Sequence, residues 1–543
     1  TLDVSGLINN SRGGQVDVLA GQYTDSGTTL ADGSQQGGSI DVRAKNITQT
    51  SSAVVSASSS EGEGGRVELI GDLGHGIGQF GGKIYATGRR RGGFVDTSGA
   101  TVLIDDALRV NTSSAEGQAG TWLIDPNDFT IAASGGNITG SALSGNLANN
   151  DIIISTATQG TAGGNGDIFV RDNVTWSSGK TLTLNAERNI NILATIDAAQ
   201  SPTGKVVLQY GQGAVAIGNT ANFNFGLKSD GFTGKLNLHA GNNLSTKLGS
   251  NGSVIDYTVI TQLGHEGSIS GTDLQGMNGN LTGNFALGAD IDAASTANWN
   301  STAGFDGIGE LSTNFNIPSS QFKGRFTGLG HSISGLTINR PTTGSVGLFD
   351  YAEDATIRDV LVLNANVVGN NTVGTLAGLA AGTQFYQVAS SGEVSASGSR
   401  LGGLIGNLQS GGITQAFSAA TVKGAGSAKP SNVGGLVGSA QFFVDTNLSQ
   451  LFATGAVSGG YSVGGLFGRL SVNGGKTTLT DAYARGAVTG TARVGGLIGG
   501  AFLSAGSLEI SRVYAVGKVT GTDGVGGLVG SILAISSRPT DPA

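Results

Sequence analysis

A six-residue glycine box, Val-Gly-Gly-Leu-x-Gly with an apolar residue at x, recurs through the carboxyl-terminal part of this sequence. Its first glycine is Gly434 in one copy, and equivalent glycines return at steps of about 31 residues, at Gly464, Gly495 and Gly526. With a related copy upstream, the boxes occupy residues 401–406, 433–438, 463–468, 494–499 and 525–530. A fixed period in this range indicates a repeat architecture, in which each unit buries its apolar face against its neighbours.

Between the boxes, small or apolar residues alternate with polar or aromatic ones, as in residues 482–489. Period-two alternation is the pattern of a strand with one buried face. No segment holds a helical apolar period, about 3.6 residues, for long enough to predict a helix. The sequence therefore predicts an all-β fold: a right-handed parallel β-helix (β-solenoid) built from stacked glycine-rich coils, with one box in each regular coil.

Stacked coils place equivalent side chains in ladders at the strand spacing of about 4.8 Å. One inward ladder is expected at the first position of the box: Val433, Val463, Val494 and Val525. A second ladder is expected from aromatic residues of the intervening strands: Phe417, Phe452, Tyr483 and Tyr514. The paired glycines of each box are interpreted as corners at which the backbone takes a positive φ or turns sharply.

Three segments are predicted from the way the repeat changes along the chain. Residues 1–120 carry a looser repeat, a Gly-Gly pair followed by an alternating strand, and are interpreted as irregular β-helix coils. The first glycines of these pairs are Gly13, Gly37, Gly64, Gly81 and Gly92. Residues 121–284 are interpreted as a junction, opened by Trp122 and Pro126, followed by further coils. Residues 285–543 form the glycine-box β-helix.

Composition excludes several classes of protein. The 543 residues include 95 glycines but only 7 prolines, and only 13% are charged. Because there is no Gly-X-Y period and little charge repulsion, neither collagen nor a disordered chain is predicted. The net charge of −8 argues against nucleic acid as a partner. There is no cysteine, and the 4 histidines are far apart in sequence, so no metal site and no cofactor are predicted.

The glycine boxes resemble the GLUG motif of bacterial surface proteins, and residues 322–336 are similar to the lead-in that precedes that motif. Residues 120–126, Gly-Thr-Trp-Leu-Ile-Asp-Pro, resemble a box in the exoproteins of two-partner secretion, the filamentous-haemagglutinin and high-molecular-weight adhesin class. The resemblance implies haemagglutinin-type coils over residues 1–120, export through an outer-membrane two-partner transporter, and adhesion. The secretion domain of that class, with its Asn-Pro-Asn-Leu type motifs, has no counterpart here, so the export route rests on the resemblance alone. Because residues 1–4 already have the pattern of a strand and residues 536–543 end without a cap, the chain is interpreted as a segment of a longer protein.

Two functions remain open from the sequence. The first is a secreted or surface-exposed bacterial adhesin, a rigid β-helical shaft that attaches to a host-cell receptor or glycan and can self-associate into fibres through its coil ends. The second is a polysaccharide-processing β-helix enzyme, a lyase or glycoside hydrolase, which needs carboxylates that converge in one cleft. Because the acidic residues are spread evenly along the chain, the adhesin, without enzymatic activity, is the preferred prediction.

Each hypothesis has its candidate residues. For the adhesin, the expected contacts are bulky aromatic residues in irregular loops: Trp299, Phe315, Phe442 and Phe443. For the enzyme, the candidates are acidic pairs: Asp105 with Asp106, Asp125 with Asp128, and Asp290 with Asp292. Adjacent strand residues point to opposite faces, whereas Asp290 and Asp292 would share a face. A turn or capping role is the simpler interpretation of that pair, and no catalytic residue is predicted.

Overall fold

The computed structural model describes residues 1–156, 164–311, 320–425 and 430–534 of the chain. It is 54% strand and 4% helix, and its parallel strands stack into a β-solenoid of about 18 turns. In the described ranges the helices are short: Gly140–Asn146 is α-helical, and Gln275–Gly279, Ala294–Asn298 and Asn300–Thr302 are 3-10 helices. The all-β solenoid predicted from the box period is confirmed.

The chain divides into two compact units. Unit 1 comprises Thr1–Gly226 and Phe232–Val259, and unit 2 comprises Leu227–Gly231 and Ile260–Ala543. All the glycine boxes belong to unit 2, and the looser Gly-Gly repeat belongs to unit 1. The division falls inside the predicted segment 121–284, and the boundaries of the three predicted segments stay a prediction.

Unit 1 is a stack of strands whose side chains alternate between the core and the surface. Its longest sheet contains Gln15–Asp25, Ser39–Gln49, Arg66–Gly71, Ile77–Phe80, Phe94–Ser98, Thr101–Ile104, Thr121–Asp125, Asp151–Ser155, Thr181–Asn185, Lys205–Tyr210, Gly241–Leu248 and Ile255–Ile260. Shorter sheets contain Leu2–Asp3, Thr28–Leu30, Val54–Ser56, Lys83–Tyr85 and Arg109–Asn111; Phe129–Ile131, Ile168–Val170, Ile190–Ile192 and Phe223–Asn224; and Val174–Thr175, Thr195–Ala198 and Lys235–Leu238. The short strand Leu227–Lys228, which belongs to unit 2, pairs with Gly231–Phe232.

The early turns of unit 1 begin at Gly-Gly pairs. Arg66 and Phe94, which follow two successive pairs, are partners in adjacent parallel strands. The pair that begins at Gly81 instead precedes Lys83–Tyr85, a strand of a different sheet. This pair is therefore a second corner within one turn, and it is followed by a strand as predicted.

Unit 2 builds each regular turn from strands of three parallel sheets. The box begins in strands Ser345–Val346, Thr372–Val373, Leu401–Gly402, Ser431–Gly434, Tyr461–Gly464, Ala492–Gly495 and Asp523–Gly526. It ends in strands Phe349–Glu353, Ala377–Ala381, Ile405–Gln409, Val437–Phe442, Phe467–Val472, Ile498–Leu503 and Val529–Ala534. The third sheet contains Asn284–Leu287, Ile291–Asp292, Arg325–Thr327, Ser332–Ser334, Thr337–Asn339, Thr356–Gly369, Gln384–Ala396, Gly412–Ser418, Thr421–Gly424, Thr446–Ala453, Val457–Ser458, Lys476–Ala484, Val488–Thr489, Ser507–Ala515 and Val519–Thr520.

Both predicted ladders are present in unit 2. The inward ladder pairs in register through Val433, Val463, Val494 and Val525. The aromatic ladder pairs in register through Phe417, Phe452, Tyr483 and Tyr514. Its ring centroids are 4.4 Å apart between Phe452 and Tyr483 and 5.0 Å apart between Tyr483 and Tyr514. The rings lie on the outer face because each alternates with more buried neighbours along its strand, as Tyr483 does with the buried Ala482 and Ala484.

The box glycines act through their missing side chain, since none of them has a positive φ. The left-handed position is the residue just before the box valine, where φ is 55° at Asn432, 54° at Ser462 and 54° at Arg493. A Cβ atom on Gly465 would lie 2.2 Å from the carbonyl oxygen of Gly496 in the next turn. Of the two alternatives for the paired glycines, the positive φ is wrong. Gly465 is required because adjacent turns approach too closely there for any side chain.

Candidate binding surfaces

Two of the aromatic contacts expected from the sequence are neighbours with opposite environments. Phe442 is fully buried in the core of unit 2, where it is the last residue of Val437–Phe442 and pairs in register with Val472. Its assignment to a contact loop is wrong, because the strand extends further than expected and its alternation turns the ring inward. Phe443 is 51% exposed and stays a predicted contact residue.

The other two expected contacts lie in or near an irregular segment. Trp299 directly follows the 3-10 helix Ala294–Asn298 and is half-buried against the core of unit 2. Its ring is stacked on Phe305, with centroids 6.3 Å apart and an interplanar angle of 20°. Trp299 therefore covers the core side chain of Phe305, and its role as a contact residue for a ligand stays a prediction. Phe315 lies outside the described residues.

Asp290 and Asp292, the acidic pair that could have shared a cleft, have separate structural roles. The carboxylate of Asp290 accepts hydrogen bonds from the N–H (2.8 Å) and the hydroxyl (3.0 Å) of Ser332 in a neighbouring strand. The carboxylate of Asp292 accepts a hydrogen bond from the N–H of Ala294 (2.9 Å), at the start of a short helix. These bonds are those of the predicted turn and capping role.

The other acidic candidates also stabilise turns. Asp105 accepts a hydrogen bond from the N–H of Ala107 (2.7 Å), and Asp106 accepts one from the hydroxyl of Thr139 (2.5 Å). Asp128 accepts bonds from backbone N–H groups of a neighbouring turn. The contacts of these three residues are therefore structural.

A pocket that the sequence did not predict brings carboxylates together in unit 2. This carboxylate pocket has a volume of about 340 Å³, and its lining includes Asp306, Glu310, Asp350 and Arg340. Arg340 forms an ion pair with Asp306 at 3.0 Å. A sequence signal exists at Asp350, because it stands where Gly378 stands in the next turn of the repeat.

Asp350 is the buried member of the carboxylate pocket. Burial holds the pKa of its carboxyl group well above its ordinary value. A hydrogen bond from the N–H of Gly347 (3.0 Å) and the charge of Arg340 oppose the rise, and Asp306 and Glu310 add to it. Gly307 leaves the space for this group, since a Cβ atom there would lie 2.1 Å from its Oδ1. A buried carboxyl group of raised pKa beside other carboxylates is an arrangement that can support acid–base chemistry.

An open groove crosses five turns of unit 1 along their Gly-Gly corners. This glycine groove has a volume of about 760 Å³ and is lined by residues 12–15, 36–39, 63–66, 91–94 and 119–121. At about 4.8 Å per turn, the corners extend over about 19 Å. The shape fits a linear polymer that lies along the stack better than a compact molecule.

The glycine groove has a backbone floor and polar rims. One rim carries Arg12, Gln36, Glu63 and Arg91, and the other carries Gln15, Ser39, Arg66, Phe94 and Thr121. The guanidinium group of Arg66 lies 4.3 Å from the ring centroid of Phe94 and donates a hydrogen bond to Glu68 (2.7 Å). Positioned polar groups beside an aromatic ring are features by which proteins orient a ligand. The sequence shows these residues flanking each Gly-Gly pair, but only the stacking of turns makes them one surface.

The described ranges contain no group of three or more histidine, cysteine, aspartate or glutamate side chains arranged to hold a metal ion. No helix in these ranges combines the length and the apolar character needed to cross a membrane. The candidate surfaces are therefore the glycine groove, the carboxylate pocket and the exposed Phe443.

Comparison with known proteins gives limited similarity. No family model matches the sequence, and no solved structure matches it. The chain is similar to halomucin from Haloquadratum walsbyi (strain DSM 16790 / HBSQ001), with 34% identity over 168 residues. These residues are 30% of this chain, and the matched region spans only 2% of the length of halomucin.

Proposed function

We propose that the chain is part of a secreted or surface-exposed bacterial adhesin, which attaches to a glycan of a host cell or another surface. The observation that carries this proposal is the glycine groove, an elongated polar surface repeated over five turns of unit 1. The solenoid fold and the similarity to halomucin, a surface protein, are compatible with an extended surface protein. A stack of turns repeats one set of contacts at a fixed spacing, which suits a repetitive ligand.

The proposal includes an export route and partners. The GLUG-like boxes and the box at residues 120–126 support membership of the two-partner-secretion adhesin class, and therefore export through an outer-membrane transporter. Strands at the end of a solenoid can template further stacking, which supports self-association into fibres.

Replacing Arg66 or Phe94 with alanine is expected to weaken binding to the glycan about tenfold, because a central arginine or aromatic contact is typical of a binding hot spot. The measurement is the Kd of the 543-residue chain for two immobilised neutral polysaccharides, mannan and dextran. The matched control is Arg43→Ala. Arg43 and Arg66 each pair with an acid two residues away, and each side chain is 51% exposed, but only Arg66 lines the groove.

The control separates groove binding from a general loss of positive charge. We expect Arg43→Ala to keep the parent's affinity. Equal losses for Arg43→Ala and Arg66→Ala, or unchanged binding in both groove variants, would contradict the assignment of the groove.

A second function, polysaccharide processing, is favoured by one specific observation. The carboxylate pocket joins a buried carboxyl group of raised pKa, on Asp350, to Asp306 and Glu310. Glycosidic bond cleavage uses a pair of carboxyl groups, one protonated and one ionised. This function requires that the chain shorten a polysaccharide and that Asp350→Asn abolish the shortening.

A further inference from the structure

Three arginines form a cluster on the outer face of unit 2. Arg400 and Arg493 both occupy the left-handed position before a box, three turns apart, with φ of 63° and 54°. Arg469 lies in the strand Phe467–Val472, close enough that both of the other guanidinium groups disfavour its charge. All three side chains are partly exposed. We call Arg400, Arg469 and Arg493 the arginine cluster.

Two aromatic rings contact two members of the arginine cluster, Arg469 and Arg493. The guanidinium carbons of Arg469 and Arg493 lie 4.1 Å and 5.2 Å from the ring centroid of Phe502. Arg493 also lies 4.5 Å from the ring centroid of Tyr461. These cation–π contacts restrict the motion of two guanidinium groups before any ligand binds. Binding a ligand therefore costs little further side-chain entropy.

The sequence departs from the repeat where it accommodates the ring of Phe502. A Cβ atom on Gly500 would lie 2.9 Å from Cε2 of Phe502, so the ring lies over this glycine. In the two adjacent turns, larger residues pair with Gly500 in register: Arg469 and Ser531. The same register continues from Arg469 to Ser439 and Asn407 in earlier turns. The cluster is therefore a local feature of these turns, unlike the repeated core.

The positive charges of the cluster have no negative partner among the residues that the structure describes. Within the described ranges, none of the three guanidinium groups pairs with a carboxylate, and Arg469 donates through its Nε only to the hydroxyl of Ser471 (2.9 Å). Burial lowers the pKa of Arg469, and the charges of Arg400 and Arg493 lower it further. By contrast, Arg512 binds Asp481 through two bonds of 2.6 Å. An external anion would relieve the repulsion within the cluster.

We propose that the arginine cluster binds the acidic group of an anionic polysaccharide, a carboxylate of a uronate or a sulfate ester. Guanidinium groups present paired N–H donors that match both of these oxyanions. Tyr461 is 42% exposed, so its phenol group can also contact sugar hydroxyls beside the acid. One face of each aromatic ring is covered by a guanidinium group, and the chain carries a net charge of −8; both facts disfavour single-stranded nucleic acid, which needs free rings and a positive groove.

The test measures binding of the full 543-residue chain to labelled polygalacturonate, dextran sulfate, neutral dextran and single-stranded DNA. The parent is expected to bind one or both acidic polysaccharides, and the comparison of the two identifies carboxylate or sulfate as the better ligand. Arg469→Gln combined with Arg493→Gln should raise the Kd about tenfold or more, because each guanidinium supplies charged hydrogen bonds. Arg400→Gln, which removes no ring contact, should weaken binding as well.

The matched control is Arg485→Gln combined with Arg512→Gln, which removes the same charge from exposed arginines of the outer face. It should leave the Kd of the parent unchanged. Arg66→Ala should also have no effect here, so this site and the glycine groove can fail independently. Equal weakening by the control, no binding of either acidic polysaccharide, or tighter binding of DNA than of both would overturn the proposal.

Discussion

Replacing Gly465 with alanine is expected to lower the free energy of unfolding by about 3 kcal/mol, because overpacking of a tightly packed interior costs about this much. The new Cβ atom would lie 2.2 Å from the carbonyl oxygen of Gly496 and 2.7 Å from Cβ of Ala484. The first of these is backbone of the next turn, which cannot move without disturbing the ladder. Urea unfolding, followed by circular dichroism, measures the loss.

The chain contains a matched control at the same position of the repeat. Gly527 corresponds to Gly465 two turns later, and a Cβ atom there would meet nothing within 4 Å. Gly527→Ala is therefore expected to be nearly neutral in the 543-residue chain. Equal destabilisation by the two substitutions would show that the box glycine is required for a reason other than the approach of the next turn.

Phe467→Ala is expected to lower the free energy of unfolding by about 4 kcal/mol, because the substitution leaves a large cavity in the core. Phe467 is fully buried, and its strand pairs in register with the turns on both sides, through Val437 and Ile498. In a solenoid the stability of a turn depends on its interfaces with its neighbours, so the loss affects three turns. The same urea unfolding experiment measures it.

Phe452→Ala is the comparison for Phe467→Ala, since it removes the same side chain from the outer face. The ring of Phe452 is only partly buried and is stacked on Tyr483 at 4.4 Å. Loss of an outward aromatic pair is expected to lower the free energy of unfolding by about 1 kcal/mol. If Phe452→Ala were as destabilising as Phe467→Ala, the assignment of inner and outer faces would be wrong.

The architecture of unit 2 could be predicted because its information is local and repeated. The alternation around Tyr483 defines which side chains face inward, and the constant step between boxes defines the register of one turn on the next. These two features suffice to place Val463 above Val433 and Tyr483 above Phe452, as the structure does. In a repeat protein each unit contacts only its neighbours, so the local pattern and the repeat length together predict the long-range contacts.

Several features could not be predicted because they depend on how closely turns approach. A positive φ was one of two alternatives for Gly465, whereas Ser462 has that conformation and Gly465 has the steric restriction. Phe442 was expected in a loop, whereas it ends the strand Val437–Phe442. The alternation of that strand places its ring in the core instead of on the surface.

The candidate surfaces were hidden in the sequence for a different reason. The glycine groove is made of residues that are about 24–28 positions apart, and no one copy of the Gly-Gly pair predicts a groove. The carboxylate pocket joins Asp306 to Asp350 across an irregular segment with no period. Even so, the sequence shows Asp350 as a departure from the repeat, because it stands where the next turn has Gly378.

The most direct test of adhesion incubates the chain with each polysaccharide and measures two quantities, the fraction of polymer bound and the length of the polymer. Asp350→Asn is the matched variant: asparagine resembles the neutral form of this buried carboxyl group, whose pKa is raised, so the fold should be kept. An adhesin is expected to bind a polymer, to leave its length unchanged, and to do so equally in the parent and in Asp350→Asn. Shortening of the polymer by the parent, abolished in Asp350→Asn, would contradict adhesion as the function and establish the enzyme.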